Sequence, residues 1–191
     1  MKNAMEINLL ENFMTPSTIA DALYQIFDWY IPVIICVGTD SAIGDTLGPL
    51  CGTKLKDKNL PCFVYGSLDK TITAKEIQSV KDFIACVHPL SKTLVIDAAV
   101  GSEEDVGKLK ITNNGIYPGL GADKKLPKLG DASIIGIVAP RSKNNHVFMN
   151  LTRFSPVYKM AQTISDGISL YVDSCLKKPA YKSVNGYFSK L

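Results

Sequence analysis

Short, uniformly apolar runs alternate along this chain with stretches in which apolar residues recur at helical spacing. The run Ile31–Val37 is rich in β-branched residues and stops at Gly38-Thr39-Asp40, which reads as a strand buried on both faces. Leu47 to Leu55 follows with helical periodicity, so the order is strand, acidic loop, helix. Pro61 to Gly66 reads as a second short strand, Thr93-Leu94-Val95-Ile96 as a third that ends on Asp97, and Ser133–Val138 as another that ends at Ala139-Pro140. Thr15-Pro16-Ser17 caps a helix whose apolar positions are Ile19, Leu23, Ile26 and Phe27. Thr73 followed by Glu76 is a capping-box pattern that opens another helix, with the stripe Ile77, Val80, Phe83, Ile84 and Val87 and a stop at His88-Pro89.

The second half is less regular. Gly107 to Thr112 alternates and predicts an edge strand or hairpin, and Gly115 to Leu129 is a long loop rich in Gly, Pro and Lys. From Asn144 to about Leu176 the chain reads as helical, with Pro156 either dividing it or opening its second part. A polar tail covers residues 179–191. Strands alternating with helices argue for an α/β fold, a three-layer α/β/α domain on a mostly parallel sheet. Residues 1–191 are taken as one such domain, its core about 16–176.

Composition narrows the function classes. A 191-residue chain with 46% hydrophobic and 20% charged residues is globular rather than disordered. The net charge of +3 comes from scattered lysines, among them Lys124, Lys125, Lys128, Lys177, Lys178, Lys182 and Lys190, which read as a solvated surface and not a nucleic-acid site. No apolar run approaches the roughly 20 residues that span a bilayer. Glu6 and Glu11 interrupt the N-terminal stretch, which is not read as a signal peptide. Cys36, Cys51, Cys62, Cys86 and Cys175 have no pairing pattern and are expected to be reduced thiols of a cytoplasmic protein, all but Cys175 read as lying in apolar segments. The two histidines, His88 and His146, are read as structural.

Dinucleotide, P-loop, nucleophile-elbow and HExxH motifs are absent. Asp40 and Asp45 count against a phosphate cradle in the first loop. What stands out is a pair of carboxylates: Asp45 at a helix start and Asp97 at a strand end. On adjacent parallel strands both would point into one crevice. Two nearby carboxylates do not ionise together, so one serves as acid and the other as base toward a water and a peptide carbonyl. The same pair could bind a divalent metal. Equally, Asp45 could be only a helix cap and Asp97 only a turn former.

Three ordered blocks carry a resemblance. Val37 to Pro49, with Gly38 after the strand and Gly44-Asp45-Thr46-Leu47-Gly48-Pro49 at the helix start, resembles the first motif of the germination protease of spore-forming bacteria. Leu94-Val95-Ile96-Asp97-Ala98 resembles its second, and Pro118-Gly119-Leu120-Gly121 its Pro-Gly-x-Gly loop. The chain also resembles the shorter YyaC-type sporulation proteins, and the hydrogenase maturation proteases share the expected fold. The resemblance implies a phosphorylase/hydrolase-like fold and a peptidase of sporulating cells or spores. Carried over by motif, Asp45 and Asp97 are its working pair; Asp40 and Gly38 are supporting residues, and Gly119 and Gly121 would offer amides to an oxyanion. Small acid-soluble spore proteins are the substrate it suggests, in the cytoplasm of the sporulating cell or the spore core. The histidine that completes a metal site in the maturation proteases has no counterpart here, so neither metal nor other cofactor is expected. No nucleic-acid or membrane partner is expected; a homo-oligomer stays open. Two other readings remain: a catalytically silent sporulation scaffold, and a metal-dependent hydrolase using Asp40, Asp45 and Asp97.

Overall fold

The computed structural model describes residues 8–11, 14–117, 127–142 and 149–178. In chain order the elements are β1 (Asn8–Glu11), α1 (Pro16–Phe27), β2 (Val33–Cys36), a 3-10 turn (Ile43–Thr46), α2 (Leu47–Asp57), β3 (Val64–Tyr65), α3 (Ile77–Val87), β4 (Thr93–Gly101), β5 (Leu109–Thr112), β6 (Ala132–Pro140) and α4 (Phe154–Lys177). The strands form one sheet in the order β1-β5-β6-β4-β2-β3. Strands β3, β2, β4 and β6 run parallel, β5 is added antiparallel to β6, and β1 pairs antiparallel with β5 beyond it.

The alternation of side chains along each strand separates two cores. Ile34, Cys36, Leu94, Ile96, Leu109, Ile111 and Ile134 face α1, α2 and α4 in the larger one. Val33, Ile35, Val37 and Val95 face α3, Ile77 and Ile84 in the smaller one. These are the three layers expected of the chain. Among the described residues no helix is long and apolar enough to cross a membrane.

Local chemistry explains most boundaries. Helix α1 starts because Thr15 accepts from the Thr18 N–H at 3.2 Å, and it ends at Asp28 in the left-handed conformation. In the pattern around Thr73, the Glu76 carboxylate takes the Thr73 N–H at 2.9 Å, but the regular helix begins only at Ile77. Pro156 lies in the first turn of α4, where its missing N–H has no intrahelical partner to lose, so it opens that helix.

Several expectations are corrected. Strand β4 does not end at Asp97; it runs on to Gly101, paired throughout with β6. Strand β5 is not an edge, because β1, which the apolar pattern did not announce, covers it. The strand expected from Pro61 to Gly66 reduces to Val64–Tyr65, the opposite edge of the sheet. In the α3 stripe, Phe83 and Val87 are exposed, since α3 lies over few strands. Cys86 is exposed too, whereas Cys36, Cys51 and Cys175 are buried. The tail after Lys178 and most of the loop between Tyr117 and Pro127 lie outside the described residues.

Candidate active site

Chain direction places a crevice between β2 and β4. From the end of β2 the chain moves through α2 to β3 on one side. From β4 it moves to β5 and β6 on the other. The connections diverge above neighbouring parallel strands, which is the topological switch point where α/β sheets bind ligands. The last rung between the two strands pairs Cys36 with Ile96, followed by the Val37 N–H donating to the Ile96 carbonyl at 2.8 Å. Asp97 is the next residue on β4, and the acidic loop with Asp45 leaves β2 opposite it.

Glycines seat that loop. Gly38 has φ +142°, and its N–H donates to the Ile72 carbonyl at 2.9 Å, which turns the chain off β2. A Cβ on Gly48 would lie 1.9 Å from the Val37 carbonyl oxygen, so the first turn of α2 rests directly on the end of β2. Asp45 is pinned by its own backbone: its N–H donates to Ala42 at 3.0 Å and its carbonyl accepts from the Thr39 N–H at 3.1 Å.

These placements answer the structural alternatives. Asp45 belongs to the 3-10 turn and not to α2, whose N-cap is Thr46. The Thr46 hydroxyl donates to the Ile43 carbonyl at 2.7 Å and makes no side-chain cap. Asp97 forms no turn, being mid-strand in register with Ile135.

Asp97 is partly exposed as a residue, but the protein packed around its carboxyl is enough to penalise charge. Burial pushes its carboxyl well above the usual carboxylate range, and the Asp45 charge pushes it further the same way. The Ala98 N–H, donating to Asp97 Oδ1 at 2.9 Å, opposes both without cancelling them. A carboxyl that holds its proton beside a second carboxylate has the makings of an acid–base pair.

Of the supporting residues, Gly38 lies against Asp45, and Asp40 is exposed in the loop and is not among the groups acting on Asp97. Gly119 and Gly121 lie outside the described residues, as does His146. His88 caps α3 and meets the Tyr65 hydroxyl at 2.7 Å on β3, the edge strand two places from β4. Burial pushes the Cys51 and Cys62 thiols up to about 12 and about 11, and raises Cys36 as well, so none of these thiols is an activated nucleophile. Among the described residues no group of three or more His, Cys, Asp or Glu stands together to hold a metal ion. Two contributors went unread in the sequence. Ala98 acts through its N–H, which carries no sequence signal; Gly48 and Gly52, four apart on α2, mark the helix face that approaches Val37 and Gly66 closely.

Residues 8–167 match the family described as "Protein of unknown function (DUF1256)". The chain is 38% identical over 142 residues to the uncharacterized protein YyaC of Bacillus subtilis, covering 72% of this chain and 68% of that protein. Among solved structures, the [NiFe] hydrogenase maturation protease HycI from Thermococcus kodakarensis gives a loose superposition. Its TM-score is 0.43 at 15% identity, over 77% of this chain and 98% of the other.

Proposed function

The chain belongs to the DUF1256 family, and from that premise we propose that it is a peptidase in which Asp45 and Asp97 together hydrolyse a peptide bond of a protein substrate. One observation carries the reading: at the switch point of the sheet, Asp97 is held toward its protonated form by burial and by the charge of Asp45. The motif blocks around Asp45 and Asp97 that resemble the germination protease support it.

In this mechanism Asp45 carries the negative charge and takes a proton from a water in the crevice as the water oxygen bonds to the peptide carbonyl carbon. The carbonyl electrons move onto oxygen, giving a tetrahedral oxyanion. Amides of Gly119 and Gly121 are the proposed donors to it. Asp97 gives its proton to the departing nitrogen, the C–N bond breaks as the carbonyl re-forms, and a proton passing from Asp45 back to Asp97 resets the pair. Asp40 is a supporting residue at the mouth of the crevice. The substrate we favour is a protein of the sporulating cell or spore, with small acid-soluble spore proteins the first to try, in the cytoplasm.

The test is incubation of the full chain with a peptide pool from a digested bacterial proteome, read by mass spectrometry, beside the Asp45→Asn/Asp97→Asn double variant. New termini made by the wild type and not by the variant are expected. An untouched pool, together with untouched spore proteins, overturns the peptidase reading.

A further inference from the structure

Strand β4 is longer than the neighbour that covers it. Its ladder with β2 stops at the Cys36–Ile96 rung, while its ladder with β6 continues to Gly101 opposite Pro140. From Asp97 to Gly101, therefore, one edge of β4 has no strand beside it among the described residues. All five of these residues are partly exposed.

The direction of the backbone groups on this stretch follows from its two ends. The Ile96 carbonyl points toward β2, since it accepts from the Val37 N–H at 2.8 Å. The Gly101 carbonyl points the other way, accepting from the Arg141 N–H at 2.7 Å just beyond β6. The register against β6 shifts between Ala99 and Val100, where β6 carries one extra residue. The opposed Ile96 and Gly101 carbonyls, five residues apart, nevertheless keep the alternation on β4 itself, which sends the N–H and C=O groups of Ala98 and Val100 into the lane that β2 vacates at Gly38. The Ala98 N–H in that lane is taken by the Asp97 carboxylate. The Ala98 carbonyl and both backbone groups of Val100 face the crevice, and the side chains of Ala98 and Val100 pack onto the larger core and hold the edge in place.

We propose that this edge is the substrate-docking strand: a polypeptide lies in extended form along Ala98–Gly101, in line with β2, and so presents a peptide bond to Asp45 and Asp97. The inference rests on the peptidase reading for the identity of its ligand. What it adds is that recognition comes first from main-chain hydrogen bonds, as in strand addition to an open sheet edge. An extended backbone is the ligand whose donors and acceptors repeat every second residue, about 6.6–6.8 Å, the spacing of the groups on Ala98 and Val100. Its side chains would meet small neighbours, Ala98 and Ala99, which leaves room for bulky residues beside the cleaved bond. Folded proteins are excluded until a segment opens.

Val100→Pro removes the crevice-facing N–H, and Val100→Ala keeps that N–H while trimming the side chain that holds the edge. On the proteome-derived peptide pool, Val100→Pro should lose up to about tenfold in kcat/KM, the worth of a lost hydrogen bond at the edge, and clearly more than Val100→Ala loses; equal losses would overturn the main-chain contact. Because Val100→Pro could also fold poorly, a second measurement is independent of it. In the Asp97→Asn protein, which binds without turnover, amide hydrogen exchange over residues 98–101 should slow by about tenfold or more when the same pool is added. Cleavage by the wild type with unchanged exchange there overturns strand docking and leaves the peptidase reading standing. Slowed exchange without any cleavage keeps the docking edge and removes the peptidase reading. Neither slowed exchange nor cleavage overturns both.

Discussion

Gly38 and Asp45 are packed backbone against backbone: a Cβ at Gly38 would lie 2.2 Å from the Asp45 carbonyl oxygen, which also accepts from the Thr39 N–H at 3.1 Å. The glycine that turns the chain off β2 thus also fixes how far Asp45 stands from β4. Position and chemistry are linked through one missing methyl group.

Gly38→Ala should for that reason do more than destabilise. The φ of +142° and the contact with Asp45 together predict a cost of about 1–3 kcal/mol, read by thermal or denaturant unfolding. Peptide cleavage should fall by more than the folded fraction does, because Asp45 is displaced. A variant with wild-type turnover would show that the seat of Asp45 is not set by this contact.

Asp97→Asn should reduce cleavage by roughly 10²–10⁴-fold, the usual contribution of a general acid or base. The same change should leave the melting temperature unchanged or raised, since a carboxyl that is costly to ionise has been replaced by a neutral amide. Asp45→Asn should lose cleavage as well. The N-cap of α2 is Thr46 and not Asp45. A clear drop in melting temperature in both Asn variants, with activity following it, would return these residues to a structural role.

Stability should depend on pH in a particular direction. The folded-state value of Asp97 lies above its unfolded one of about 3.9, so in the window between them the folded chain binds more protons than the unfolded chain. This contribution is full below the ordinary carboxylate range and is lost as pH rises through the raised value. The melting temperature of the wild type should fall relative to Asp97→Asn across that window. Curves that stay parallel would contradict it.

Metal should be dispensable. Zinc is not expected to copurify, and chelation should leave peptide cleavage unchanged. One zinc per chain by elemental analysis, with activity lost on its removal, would move the metal-dependent hydrolase ahead of the acid–base pair.

How much of this was legible in the sequence depends on what each residue contributes. Strand β2, the inner stretch Leu94–Ile96 of β4 and the run Ile134–Val138 of β6 announce themselves because both faces are covered and nearly every position is apolar. The outer half of β4, Asp97-Ala98-Ala99-Val100-Gly101, does not, because Asp, Ala and Gly are poor strand formers and its pairing with β6 overrides them. Strand β1 is silent for a related reason: Asn8–Glu11 gains its conformation from β5 rather than from its own pattern. Asp45 and Asp97 were readable as types at plausible positions. That β2 stops one rung below Asp97 was not readable, since it is a matter of register between segments far apart in sequence.

The central proposal is that Asp97 holds its proton because it is buried beside the charge of Asp45, and carboxyl-carbon NMR across a pH series measures it most directly. In the wild type, the Asp97 signal should titrate well above the ordinary carboxylate range of about 3.9. In Asp45→Asn that value should fall as the neighbouring charge is removed, while staying raised by burial, the larger of the two causes. An Asp97 signal that titrates in the ordinary range, or one that does not respond to Asp45→Asn, would contradict the account.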